Sequence, residues 1–135
     1  MIFKKINNFI TNDKFLLFII FLVSFLLNKN YANIGVFPID TFYHFDTGFR
    51  VLNGEYPIKD FWVVSGIFVD YLEAFFFYLF GVSWKTHVFH SSFVNGIMAT
   101  ATYFVLRSFK LKKNYSLLYS FFFAVLAYPP SGTPF

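Results

Sequence analysis

The stretch "PIDTFYHFDTGFRVLNGEYPIKDFW" runs from Pro38 to Trp62 and carries Asp40, Asp46, Glu55 and Asp60, four of the chain's seven acidic residues. Apolar runs flank it on both sides. Pro38-Ile39-Asp40 reads as a helix start, with the Asp40 carboxylate capping the first free amides. Gly54 reads as the stop. Between them Phe42, Phe45, Phe49 and Leu52 fall on one helical stripe, and Asp40, His44 and Thr47 on another. Asp46 and Arg50 are four residues apart and can pair. The expectation is a short interfacial helix over 41–53, apolar below and polar above, somewhat weakened by Gly48.

The rest of the chain explains why such a segment stands apart. Of 135 residues, 57% are hydrophobic, 26% aromatic and only 13% charged, with 24 Phe. Soluble domains carry about a quarter charged residues. The composition, with mean hydropathy +0.57, is that of an all-α integral membrane protein. The net charge of +4 sits in short loops rather than in a basic patch, which argues against a nucleic-acid partner. The absence of Cys excludes thiol and Cys–zinc chemistry. The first apolar run ends in "LLNKNYANIGVF" without the small residues of a cleavage site, so it reads as an uncleaved anchor.

Four apolar segments follow one another: Phe15–Leu27, Phe61–Gly81, His87–Leu106 and Tyr115–Tyr128. If all four crossed, the cluster Arg107, Lys110, Lys112 and Lys113 would face away from Lys4, Lys5 and Lys14, against the positive-inside rule. The second segment also carries Asp70 and Glu73, each costing about 2.5–3.5 kcal/mol at a bilayer centre. Both difficulties vanish if it lies flat at the interface, its Phe residues in lipid and its carboxylates towards water or protein. The expected fold is three transmembrane helices, over 14–36, 87–107 and 115–128, plus two interfacial helices over 41–53 and 63–81. The N-terminus and the 107–114 loop are cytoplasmic; the tail 129–135 is external. The alternative is four crossings with Asp70 and Glu73 inside a bundle. Ser92, Gly96 and Thr100 form a small-residue face for close packing. The tail "PPSGTPF" reads as a break in a longer chain.

Asp40 can act as a cap or as a functional carboxylate. Asp46 is expected to pair with Arg50, and Glu55, Lys59 and Asp60 to be solvated loop residues. His44 lacks a metal-ligand partner at useful spacing, and His87 and His90 lack an evident third ligand. No metal site is assigned, and no cofactor is evident.

The order of these pieces resembles the amino-terminal module of GT-C-fold polytopic membrane glycosyltransferases, which include protein O-mannosyltransferases and the lipid A aminoarabinose transferase. The residues that carry the resemblance are Asp40 at the helix head, "NGEYPIKDFW" at Asn53–Trp62, and "YLEAFFFYLFGVS" at Tyr71–Ser83. The departures are Thr41 where many relatives have Glu, and "VSG" at Val64–Gly66 where many have a Lys-Pro-Pro or His-Gly-Pro turn. Only Lys85, His87 and His90 stand where relatives often have Arg. The resemblance implies a multi-pass protein of the bacterial plasma membrane that moves a sugar from a polyprenyl-phosphate donor to an external acceptor. It implies Asp40 as the catalytic carboxylate, with Lys59, Lys85 and Arg50 as cations for the departing phosphate, Asp60 steadying the loop and His44 nearby as a substrate contact. Further membrane helices of a longer chain would pack beside it. Two other functions fit the residues: a small non-catalytic assembly or regulatory subunit, and a transporter fragment in which Asp70 and Glu73 line an aqueous path.

Overall fold

The computed structural model describes residues 13–32, 34, 38–64 and 66–126. Among these the chain is all-helical: α1 (Asp13–Tyr31), α2 (Pro38–Leu52), α3 (Ile67–Phe80), α4 (Trp84–Ser108) and α5 (Lys113–Leu126). The expected external tail, the N-terminal lysines, Ser65 of the "VSG" turn and the last residues expected of the first span lie outside the described residues.

Helices α1, α4 and α5 pack on one another, and α2 and α3 pair as a separate layer joined to α4 through α3. Helices α1 and α4 are antiparallel: Phe21 and Phe25 meet Phe93 and Phe89 edge-on, at centroid separations of 5.8 Å in both pairs. One turn further, Ser92 Oγ donates to Asn28 Oδ1 at 3.0 Å. Asn28, at the C-terminal end of α1, therefore sits near the N-terminal end of α4, beside the α2–α3 layer. Lys14 lies at the opposite end with Arg107, Lys110, Lys112 and Lys113. Every acidic residue from Asp40 to Glu73 is at the layer end.

Burial in the bundle is inverted relative to a water-soluble protein. Its inner positions hold Ser24, Asn28, Ser92, Asn95, Ser116, Ser120, Ala99 and Ala124 beside the larger Ile20, Val88 and Tyr103, while Phe18, Leu22, Phe93, Ile97, Phe104 and Phe122 point outward. Small residues let helices approach closely. Gly96 is the tightest case, since a Cβ there would stand 2.7 Å from the Phe21 ring. Thr100, the third member of the expected small face, instead bonds back to the carbonyls of Gly96 and Ile97.

Among the described residues, only the window Lys14–Tyr31 is both long and apolar enough to cross a membrane by length and composition. At 25 residues, α4 spans about 37 Å at 1.5 Å per residue. At 14 residues, α3 spans about 21 Å, short of a hydrocarbon core of about 30 Å. Two positive-φ glycines bound α3, Gly66 at φ 100 and Gly81 at φ 83. The expected 63–81 helix is thus shortened at its start, because Phe61–Val64 belong to the preceding turn. Helix α4 starts three residues before the expected position, capped by Ser83, whose Oγ accepts from the Thr86 amide at 3.2 Å.

Helix α2 begins at Pro38, two residues ahead of Asp40. Proline suits a first helical position because its missing N–H would have no partner there. Asp40 consequently lies inside the first turn rather than at the cap, where its charge still meets the positive end of the helix dipole. The two stripes of α2 are covered unequally by protein. Of the polar stripe, Thr47 is buried, His44 half-buried and Asp40 exposed, while Phe42 and Phe49 of the apolar stripe are exposed; the stripe turns inward only at its Thr47 end. Gly48 makes this possible. A Cβ at Gly48 would collide with Glu73 Cγ and stand 2.8 Å from Glu73 Cβ, so the glycine is the seat on which α3 rests.

Gly48→Ala is therefore expected to destabilise the layer by about 1–3 kcal/mol through overpacking, despite the roughly 1 kcal/mol that alanine gains in a helix interior. Unfolding in detergent micelles measures the difference.

Candidate functional site

Two groups of side chains gather at the layer end. The first is buried. Asp70 and Glu73, one turn apart on α3, are each 1% exposed. Both face protein, one of the two surroundings expected for them. Thr47 Oγ1 donates to Asp70 Oδ1 at 2.6 Å, tying α2 to α3. Glu73 ties α3 to α4: its Oε1 lies 2.9 Å from His87 Nδ1, and its Oε2 is in close contact with His90 Nδ1. An ionised carboxylate only accepts, so both Nδ1 atoms donate, which leaves the two Nε2 atoms outside these bonds. Those Nε2 atoms and Asp70 Oδ2 are buried without a hydrogen-bond partner among the described residues. Aromatic rings wall the group, Phe45 and Trp84 against His87 and Phe76 against His90.

Burial pushes the Glu73 carboxyl up, but the hydrogen bonds and charges of His87 and His90 together outweigh it and hold Glu73 below its ordinary value of 4.5. Burial lowers His44 below its ordinary 6.5, opposed by the carboxylates of Asp70, Glu73 and Asp40 and assisted by His87. Among the described residues no three His, Asp or Glu side chains are arranged to hold a metal ion.

The second group is accessible. Asp40 is exposed on the first turn of α2. On the same turn Phe42 reaches the Trp84 ring, at a centroid separation of 6.4 Å. Trp84 lines a cavity of about 330 Å³ together with Lys29, Lys85, Val88 and Phe89. The last turn of α1 and the first turn of α4 thus contribute one lysine each to one apolar-walled hollow.

The remaining expected residues divide between these groups and the turn that follows α2. His44 is half-buried and belongs with the carboxylates of the first group. Arg50 pairs with Asp46 at 2.7 Å, as expected, and also with Glu55 at 3.1 Å, while stacking over Phe61. These contacts hold it in the turn. Asp60 Oδ2 accepts from the Tyr56 amide at 2.8 Å, so it builds the turn. Lys59 is exposed, 3.9 Å from Asp60 and over the Tyr56 ring. Gly54, at φ 89, ends α2 as expected.

Two features of the site do not emerge from the sequence reading. Lys29 is given no role there. The pairing of Glu73 with two histidines goes unseen, although D-x-x-E on one helix and H-x-x-H on the next present matching one-turn spacings.

No protein-family model matches the chain, and no curated protein or solved structure matches it either.

Glu73→Ala leaves two buried imidazoles without their shared acceptor and is expected to cost about 3–5 kcal/mol, measured by unfolding in micelles. Acid acts in the same direction. Glu73 and His44 both have folded values below their unfolded ones, so their contributions are present above the unfolded values and are lost as pH falls. The melting temperature should accordingly drop as pH falls below 6.5 and again below 4.5, the ordinary values of the two groups.

Proposed function

We propose that this chain is a membrane-embedded module in which α1, α4 and α5 cross the bilayer while the α2–α3 layer lies at the external interface. Inverted burial supports it: apolar surface this extensive needs lipid or protein to cover it. The grouping of Lys14, Arg107, Lys110, Lys112 and Lys113 at one end supports a cytoplasmic N-terminus, in a bacterial plasma membrane. Asp70 and Glu73 on α3, costly at a bilayer centre, support a helix that does not cross.

Within that frame, the chain is the amino-terminal part of a glycosyltransferase of the GT-C type, moving a sugar from a polyprenyl-phosphate donor to an external acceptor. The observation that carries this reading is the exposed carboxylate of Asp40 on the turn of α2 whose Phe42 reaches Trp84, a wall of the hollow bearing two lysines. The acceptor hydroxyl oxygen attacks the anomeric carbon, and Asp40 takes its proton. The bond from that carbon to the phosphate oxygen breaks, and its electron pair leaves with the lipid phosphate. Lys85, joined by Lys29, offsets the charge that develops there. Lys59 is a further exposed cation on the turn after α2; Arg50, Asp60 and His44 support the site's shape.

In the protein expressed from its own gene, Asp40→Asn should lower transfer by about 10²–10⁴-fold with normal membrane insertion, whereas Lys85→Gln should chiefly weaken donor use. Undiminished turnover in Asp40→Asn sinks the catalytic assignment and favours the non-catalytic subunit. Topology is tested separately, since the chain has no Cys. Asn53→Cys should react with an impermeant maleimide on intact cells, and Lys110→Cys only after permeabilisation. Asp70 is unsuitable as a reporter because protein buries it whichever way α3 lies.

A further inference from the structure

The turn between α4 and α5 places lysines where its own geometry disfavours them. The Lys110 amide donates to the Arg107 carbonyl at 3.0 Å and the Leu111 amide to the Leu106 carbonyl at 3.2 Å, the bond pair of a Schellman turn. That turn holds Lys110 at φ 61, a left-handed position that glycine fills without steric cost. Lys112 stands just before α5 and Lys113 is its first residue. Both therefore sit at the positive end of a helix dipole, where acidic residues are favoured. The first turn of α5 holds no acidic residue, and none follows Glu73 in the sequence. Arg107 adds a fourth cation, its guanidinium donating to the Leu111 carbonyl across the turn. Lys14 reaches the same end of the bundle but follows Asp13 in the sequence, so the excess charge stays with the turn.

Local energetics thus opposes this arrangement, and an anion bound from outside offsets both the mutual repulsion and the clash with the dipole. The surroundings choose the kind of anion. Phe109, set among the cations, is 79% exposed, and Phe104, Val105 and Tyr115 on the adjoining turns of α4 and α5 are exposed as well. A soluble anion would use the charges alone, whereas a phospholipid uses the charges and the apolar skirt beside them. The connection from Phe109 to Lys112 is also too short to leave a bilayer that α4 and α5 cross. Four residues reach about 14 Å at full extension and must turn back, so the cations stay within about a Debye length, roughly 8 Å, of the headgroups.

We propose that Arg107, Lys110, Lys112 and Lys113, with Phe109 among them, form a binding surface for anionic phospholipid headgroups of the cytoplasmic leaflet. It fastens the α4–α5 turn to that leaflet at the end of the bundle away from Asp40. The surface rests on the membrane placement proposed above and not on glycosyl transfer.

The test uses the whole protein in vesicles of phosphatidylcholine and phosphatidylglycerol. The reporter is Phe104→Trp, at an exposed position on α4, in protein whose tryptophans are removed by Trp62→Phe and Trp84→Phe. Quenching of its emission is compared for the two lipids carrying brominated acyl chains. Phosphatidylglycerol should be preferred about tenfold or more at low salt, with the preference falling several-fold in 0.5 M salt. Lys112→Gln should lower the preference about fivefold. Lys110→Gly should lower it equally while the thermal midpoint in neutral lipid holds or rises, since glycine relieves the left-handed position. Inorganic phosphate at matched ionic strength should leave the preference intact; displacement by it assigns the surface to free anions and overturns the proposal. Equal quenching by the two brominated lipids overturns it too, as does an undiminished preference in Lys110→Gly combined with Lys112→Gln. These outcomes leave the membrane placement standing, because quenching by the neutral lipid still reports immersion of α4. Absence of quenching by either lipid overturns that placement and this surface together.

Discussion

A carboxylate with 1% exposure in a molecule whose exterior is largely apolar is the constraint from which the layer end follows. Taking an ionised group out of water costs several kcal/mol unless close partners restore what hydration supplied. Glu73 has two such partners, and both come from a different helix. Its position is therefore satisfied only when α3 lies along α4 in one register. Gly48 then fixes how closely α2 can come, and Thr47, the preceding residue, fixes the rotation of α2 by reaching Asp70. Three helices are mutually located by a handful of polar side chains and one missing Cβ. Neither apolar burial nor helix propensity would choose a single arrangement here, because large apolar side chains are exposed on all three helices.

The three-helix bundle solves a different problem by similar means. Its interior is narrow, filled by Ser, Ala and Gly, and its serines satisfy themselves on carbonyls four residues earlier, as Ser92 does on Val88 and Ser120 on Ser116. Such bonds hold in a dry environment because the competing solvent is absent. The Asn28–Ser92 contact adds an interhelical bond near the layer end. Small and polar inside with large and apolar outside is the distribution expected when the surroundings are as apolar as the side chains.

Much of this is legible in the sequence. The order of the helices, the Asp46–Arg50 pair, the role of Gly54 and the separateness of Phe61–Gly81 all follow from charge spacing and breaker residues, which are local. What escapes is non-local. The stripe of Asp40, His44 and Thr47 reads as water-facing because polar residues usually are, and only the position of α3 shows otherwise for Thr47. Gly48 reads as a weakness because helix propensity is counted along one helix, whereas its value lies in the distance to another. Asp70 and Glu73 are recognisably too costly for a spanning helix, but a cost can be met by solvent or by partners, and sequence spacing alone does not choose. Lys29 and Lys85 are far apart in the chain and share a cavity only because α1 and α4 run antiparallel.

Tyr43 lies next to His44, the two rings edge to face at a centroid separation of 5.3 Å. Its hydroxyl donates to the Trp62 carbonyl at 2.7 Å and accepts from the Val64 amide at 2.9 Å. One phenol thus staples the far end of the Asn53–Trp62 turn back onto α2. The near end of the turn is held by Arg50, so the loop is fastened to the helix at both ends and to no other described element by these bonds. Loop and helix share one frame of reference. A molecule recognised by Lys59 on the loop and by Asp40 on the helix would meet a fixed span rather than two parts that drift. Any shift of α2 on its supports would carry both contacts together, altering where that molecule is presented but not how it is gripped.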